Sequence, residues 1–236
     1  MNQRLPIICA ALLLTSMAAL ADPDDVPFQV RYASNLSYAD SAVIFTNTGA
    51  SATAVNPVTQ ALNGNMCVNV YTFSPDEQLI SCCSCHVTPN ALWSLSARSD
   101  LISNTLTPGV PTSIVVKLVA TLAGPAGASG PGPTTAPTCN PAPALAGTAG
   151  FPLAPGLAAW GTTVHALGAS AVLPPGGTTP PAGTTLSLTE TGFTAATLSA
   201  AELSRLNTLC GFIQGNGSGF GICKSCRFGG LVPVQQ

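Results

Sequence analysis

Charge is what this chain of 236 residues has least of: Asp, Glu, Lys and Arg together make up 7% of it, against about 25% in an ordinary soluble domain. Histidine is scarcer still, with His86 and His165 alone. Without clustered Lys and Arg the chain cannot neutralise several phosphates, which excludes nucleic acid as a partner. A polybasic patch for lipid headgroups is missing for the same reason. Two imidazoles leave a serine or cysteine triad very little to draw on. Long apolar runs are also lacking beyond the first 21 residues, so no membrane span is expected after them.

What is present begins with MNQRLPIICAALLLTSMAALADPDD. Arg4, an apolar run from Leu5, small residues at Ala19 and Ala21 and then Asp22 read as a secretory signal peptide over 1–21 with an A-x-A cleavage site. Cys9 lies in the apolar run after Ile8, where a lipoprotein signal would want a small residue, so lipid anchoring is not expected. Removing Arg4 leaves 6 basic against 9 acidic residues. With 46% apolar residues the remaining chain is long enough to bury a core.

From Val26 to about Ala120, short β-rich runs alternate with turn clusters. FQVRYAS, SAVIFTNTG, MCVNVYTFS, QLISCCS, ALWSLSA and TSIVVKLVAT are each bounded by Asn, Gly, Pro, Ser or Asp, the spacing of an antiparallel sandwich or barrel. In MCVNVYTF, Cys67, Asn69 and Tyr71 fall on one face and Met66, Val68, Val70 and Thr72 on the other. Pro75 and Asp76 then suit a tight turn, so Met66 to Cys85 reads as a β-hairpin.

No charged residue occurs between Leu118 and Thr189. Residues 122–157, rich in Ala, Gly, Pro and Thr, read as a low-complexity connection or insertion. WGTTVHALGASAVL and TTLSLTETGFT then read as two further strands. One helix follows, in LSAAELSRLNTLCGF: Ser199 and Glu202 make a capping box, and Leu198 and Leu203 a hydrophobic staple. Leu203, Leu206, Cys210 and Ile213 form one stripe that aims Cys210 inward, and Gly211 or Gly215 stops the helix. The expected organisation is a signal peptide at 1–21, a β-sandwich-like core at 22–121 and the connection at 122–157. Residues 158–236 then supply two strands, the helix and a cysteine-bearing tail that pack on the core.

Eight cysteines follow the leader: Cys67, Cys82, Cys83, Cys85, Cys139, Cys210, Cys223 and Cys226. An even count behind a signal peptide points to four disulfides. Cys67 is expected to bond Cys82 or Cys85 across the hairpin, because these positions come opposite or diagonal to it. Cys82 and Cys83 point to opposite faces, so Cys83 needs a different and more distant partner. Cys210 is expected to tie the helix to the rest of the fold.

Cys82, Cys85 and His86 also spell C-x-x-C-H, the signature of covalent haem attachment. Haem would leave six cysteines, again even, so parity does not decide. Context does: the motif lies in a β-rich stretch and runs into VTP, where Pro89 disfavours helix. A sixth ligand would have to be His165 or Met66, and neither lies in a haem-domain pattern. The expectation is therefore no cofactor and a His86 that can be exchanged for Ala without loss of folding, with haem c as the alternative.

Weaker signals fail on spacing. The pairs Cys82/Cys85 and Cys223/Cys226 lie too far apart for a zinc ribbon, and CKSC follows the last helix instead of opening one in a βαβ unit. GNGSGFG misses the dinucleotide-loop register at Phe220, and Asn216 spoils a nucleophile elbow at Ser218. Asp40, Asp76, Glu77, Asp100, Glu190 and Glu202 could pair for glycoside hydrolysis, but Asp76 and Glu77 suit a turn and Glu202 a cap.

The blocks CVNVYTFSPDEQLISCCSC with VTPN after it, and GFIQGNGSGFGICKSC, resemble those of a group of uncharacterised exported bacterial proteins. The resemblance covers the β-rich first half and the C-terminal helix and tail, leaves the Ala/Pro/Gly connection unmatched, and brings no catalytic residues. It implies a secreted bacterial protein. The sequence thus points to a mainly β, antiparallel sandwich-like domain with one C-terminal helix and a long insertion, tied by disulfides. Its expected role is non-catalytic: a structural, adhesive or surface component, self-associating or bound to a surface partner. The competing reading is a redox protein, either a monohaem cytochrome or a dithiol protein.

Overall fold

A computed structural model describes residues 26–52, 64–123, 139–142, 152–167 and 183–226. The expected leader, most of the connection and the second Pro/Gly break lie outside the described residues. Every stretch expected to be a strand contains one. These are β1 (Phe28–Ala33), β2 (Ala42–Asn47), β3 (Met66–Phe73), β4 (Leu79–Val87), β5 (Leu92–Ser96), β6 (Ile114–Leu122), β7 (Leu157–Leu167) and β8 (Thr185–Gly192). A two-residue β9 (Thr194–Ala195) and a one-turn π-type segment at Ala97–Leu101 were not foreseen. β6 ends at Leu122 and β7 starts at Leu157, so both ends of the connection belong to strands.

The strands form two antiparallel sheets. One runs β4-β3-β6-β1-β9 and the other β5-β2-β7-β8. Their inner faces meet in one core, where Val43, Phe45 and Leu95 of the second sheet pack on Met66, Val68, Val70, Val116 and Leu118 of the first. Burying each such side chain contributes about 1.5–3 kcal/mol.

The first sheet is covered on its outer face as well. There Phe28, Tyr71, Phe73, Leu79, Cys82 and Val119 pack under Leu206, Cys210 and Ile213 of the helix α1 (Ala200–Gly215) and under Ala142. All eight residues of β3 are consequently buried. Its polar residue Asn69 is satisfied by Ser84, whose Oγ donates to Oδ1 at 2.6 Å, and it donates to Thr121 Oγ1 at 3.4 Å. The helix begins as its capping residues require: Ser199 is the N-cap and its Oγ accepts from the Glu202 N–H at 3.1 Å.

Beyond the reach of the apolar core, polar side chains join the sheets. Arg31 of β1 donates through Nη1 to Thr191 O and Oγ1, both at 2.6 Å, and through Nη2 to Thr163 Oγ1 at 2.8 Å. Gln29 Nε2 reaches Leu157 O at 2.6 Å. Arg31 is 6% exposed, and burial lowers its pKa, with Glu190 acting in the opposite sense. Gly161 allows this clamp. A Cβ there would lie 3.1 Å from Arg31 Nε and inside the contact radius of Ala42 O.

Candidate functional site

The hairpin β3–β4 decides where the cysteines go. Its loop is tight: Glu77 N bonds Ser74 O at 3.0 Å, with Pro75 and Asp76 at the centre as expected, and Ser74 N bonds Gln78 O at 3.0 Å. Glu77 sits at φ 65°, the left-handed position that closes a three-residue loop. Phe73 then faces Leu79, but Thr72 faces Ser81, so Ile80 is an extra residue in β4. The bulge is held from outside, because Ile80 O accepts from Leu106 N at 2.9 Å and Ser81 Oγ donates to Leu101 O at 2.6 Å.

One extra residue reverses every side chain beyond it. Cys67 comes opposite His86, Cys82 opposite Tyr71 and Cys85 opposite Val68. Cys85 therefore faces the core between the sheets. Cys82 shares the outer face with Cys67 but stands four residues from the position opposite it, about 13 Å along the strand. The expected bond from Cys67 to Cys82 or Cys85 is thus corrected: Cys67 pairs with Cys139, Cα atoms 5.4 Å apart. That bond fixes the 139–142 segment over the outer face, where Tyr71 Oη donates to Pro141 O at 2.8 Å. Burial raises the Tyr71 pKa far above its ordinary value.

The other three disulfides all start from β4. Cys82 joins Cys210 of α1, Cys83 joins Cys223, and Cys85 joins Cys226, with Cα separations of 5.9, 5.5 and 4.9 Å. Cys82 and Cys83 do face opposite ways, each with a distant partner, and the helix is bonded through Cys210 as its stripe required. The tail also hydrogen-bonds the free edge of β4: Cys82 N donates to Gly221 O at 2.8 Å, and Cys223 N to Cys82 O at 3.4 Å.

His86 stands opposite Cys67 in the β3–β4 ladder. It is half-buried, its Nε2 is buried without a hydrogen-bond partner, and burial lowers its pKa. The expectation that Ala replaces it freely assumed an exposed ring, and the ring is not exposed. Its carbonyl accepts from Trp93 Nε1 at 3.0 Å. His165 is exposed and meets Thr189 Oγ1 at 2.7 Å.

Four of the six candidate carboxylates make structural contacts. Asp40 accepts from Ser41 N, Arg98 N and Ser96 Oγ. Asp100 accepts from Ser96 N and from Ser225 Oγ, which ties the π-type turn to the tail. Asp76 accepts from Ser74 Oγ. Glu202 pairs with Lys117 at 2.6 Å and Arg205 at 3.5 Å, and both cations also lie over the Phe73 ring. Among the described residues no group of three or more His, Cys, Asp or Glu could hold a metal ion. No helix there is long and apolar enough to cross a membrane.

Two surface features stand outside these structural contacts. A groove of about 360 Å³ runs between α1 and the β3–β4 hairpin, lined by Leu79, Leu106, Phe212 and Ile213, with Glu77 and Arg205 among its walls. The second is β8, the end strand of its sheet, in which every residue is exposed. Neither surface has a sequence signal that sets it apart. A scan against protein-family models and searches of curated proteins and of solved structures find no match to this chain.

Proposed function

We propose that this chain is an exported, non-catalytic structural component, an adhesive or surface protein of a cell envelope or of the space outside it. The observation that carries the reading is the pairing of all eight cysteines beyond the leader, which fits an oxidising compartment and a fold stapled for endurance. The leader-like first 21 residues agree with it. Three bonds on one strand lock the helix and tail in place, an arrangement that favours rigidity over a moving active site.

The redox reading needs two thiols on the same side of a porphyrin with His86 below it. With β4 extended, Cys82 and Cys85 project to opposite faces of the sheet, and each is bonded elsewhere. A dithiol role needs a reducible pair within one C-x-x-C, and neither C-x-x-C pair is bonded internally. The test is an absorption spectrum and haem stain of the protein purified from its native host. A colourless protein with four intact disulfides supports the structural reading. A Soret band, or a free Cys82/Cys85 thiol pair, overturns it.

A further inference from the structure

Three of the four sheet edges carry a device that blocks addition of another strand. At β4, Ile80 O is taken by Leu106 N, Cys82 by Gly221 and Cys223, and His86 O by Trp93. At the far side of that sheet β9 is two residues long. β5 has five residues and turns into the π-type segment, where Asp100 Oδ2 accepts from Ser96 N at 2.7 Å. Among the described residues β8 has no such device. Its eight residues pair with β7 in unbroken register and contain no Pro, no Lys and no bulge, and Glu190 is the one charge. Leu186 and Leu188 lie on one face of it, 39% and 62% exposed.

We propose that β8 pairs antiparallel with β8 of a second copy of this chain, joining two four-stranded sheets into one continuous sheet. An exposed edge recognises an extended strand through backbone hydrogen bonds, and alternate side chains set which strand fits. TLSLTETG fits itself. A two-fold axis normal to the sheet at Ser187 puts Leu186 of each copy opposite Leu188 of the other and Thr185 opposite Thr189. Thr184 then meets Glu190, so no like charges face each other. Centring on Leu188 instead would set Glu190 against Leu186. The pairing holds whether or not the chain is a non-catalytic surface component, so it stands apart from that reading.

Sedimentation velocity on the full chain with disulfides intact tests it over a wide range of concentration. The wild type is expected to shift from monomer to dimer as concentration rises. Leu188→Lys should stay monomeric at concentrations where the wild type is mostly dimer, with its melting temperature unchanged in dilute solution. Leu188→Thr, which keeps strand propensity, should weaken the dimer. Under mild oxidation Ser187→Cys should cross-link as one dimeric species, because facing Cα atoms lie within disulfide reach. Thr185→Cys should not. A wild type that is monomeric at every concentration overturns the proposal and leaves this edge to a strand of some other protein. A dimer indifferent to Leu188→Lys overturns it in favour of another face, the groove beside α1 being the alternative, and cross-linking of Thr185→Cys as readily as Ser187→Cys overturns the register.

Discussion

Cys67 stands opposite His86 in the β3–β4 ladder, one position past Cys85. Had the register set by the hairpin loop continued, Cys67 and Cys85 would face each other. Ile80 shifts it by one, and the pairing of all eight cysteines follows. Peptide mapping of the unreduced protein is expected to return Cys67–Cys139, Cys82–Cys210, Cys83–Cys223 and Cys85–Cys226. A fragment joining Cys67 to Cys85 would mean that the bulge is absent.

The helix depends on Cys210 for more than packing. Cys210→Ser is expected to lower stability by about 2–5 kcal/mol, the usual loss for a native disulfide, and to leave Cys82 as a free thiol. Denaturant melts with thiol titration measure both, and a wild-type midpoint would show that the apolar contacts of Leu206 and Ile213 hold the helix unaided.

Tyr71 gives the fold an alkaline limit. Its folded-state pKa lies above the ordinary value of 10.0, so above about pH 10 the unfolded chain gives up a proton that the folded chain keeps, and stability falls as pH rises. Tyr71→Phe should flatten that decline. At neutral pH it should cost about 1 kcal/mol for the lost bond to Pro141 O. Urea midpoints between neutral and strongly alkaline pH provide the comparison.

His86 acts at the other end of the scale. Its folded pKa lies below the ordinary 6.5, so as pH falls through that value the unfolded chain takes a proton first. Stability is therefore complete above about pH 6.5 and declines below it. His86→Ala should remove this acid limb and cost about 1 kcal/mol at neutral pH, since the ring is half-buried. If the wild-type midpoint is the same at pH 5 and pH 8, the ring is solvated.

Gly161→Ala is expected to destabilise the protein by about 1–3 kcal/mol, because the new methyl group meets the backbone of β2 and the Arg31 guanidinium together. The same change at Gly109, which has open space around it, should be close to neutral. Equal melting temperatures for the two variants would contradict the clamp.

The strands and the helix were legible because their signals are local. Turn residues bound each strand, and Ser199 with Glu202 marks the helix start before any packing is known. The cystine pairing was not legible, since Ile80 is an ordinary strand residue and its bulge is imposed by Leu106 and Leu101 from elsewhere in the chain. Nothing adjacent to Arg31 announces a buried cation either: its acceptors Thr163 and Thr191 lie more than a hundred residues away. The π-type turn was hidden for a similar reason: the strand read in ALWSLSA runs straight into it, and ARSDL carries no local signal of a helical turn. Each miss turns on contacts that only the assembled sandwich supplies.

The bond between Cys85 and Cys226, 141 residues apart in sequence, also sets how the protein answers a mechanical load. If Pro27 and Cys226 are pulled apart, tension passes along the backbone as far as Cys85 and then crosses the disulfide, so everything between Cys85 and Cys226 is bypassed. Even with that path fully unravelled, Pro27 and Cys226 can stand no farther apart than about 60 residues' worth of chain, close to 200 Å at about 3.4 Å per residue. β5 to β8 and the helix, enclosed in the bypassed loop, need not unfold to let the molecule stretch.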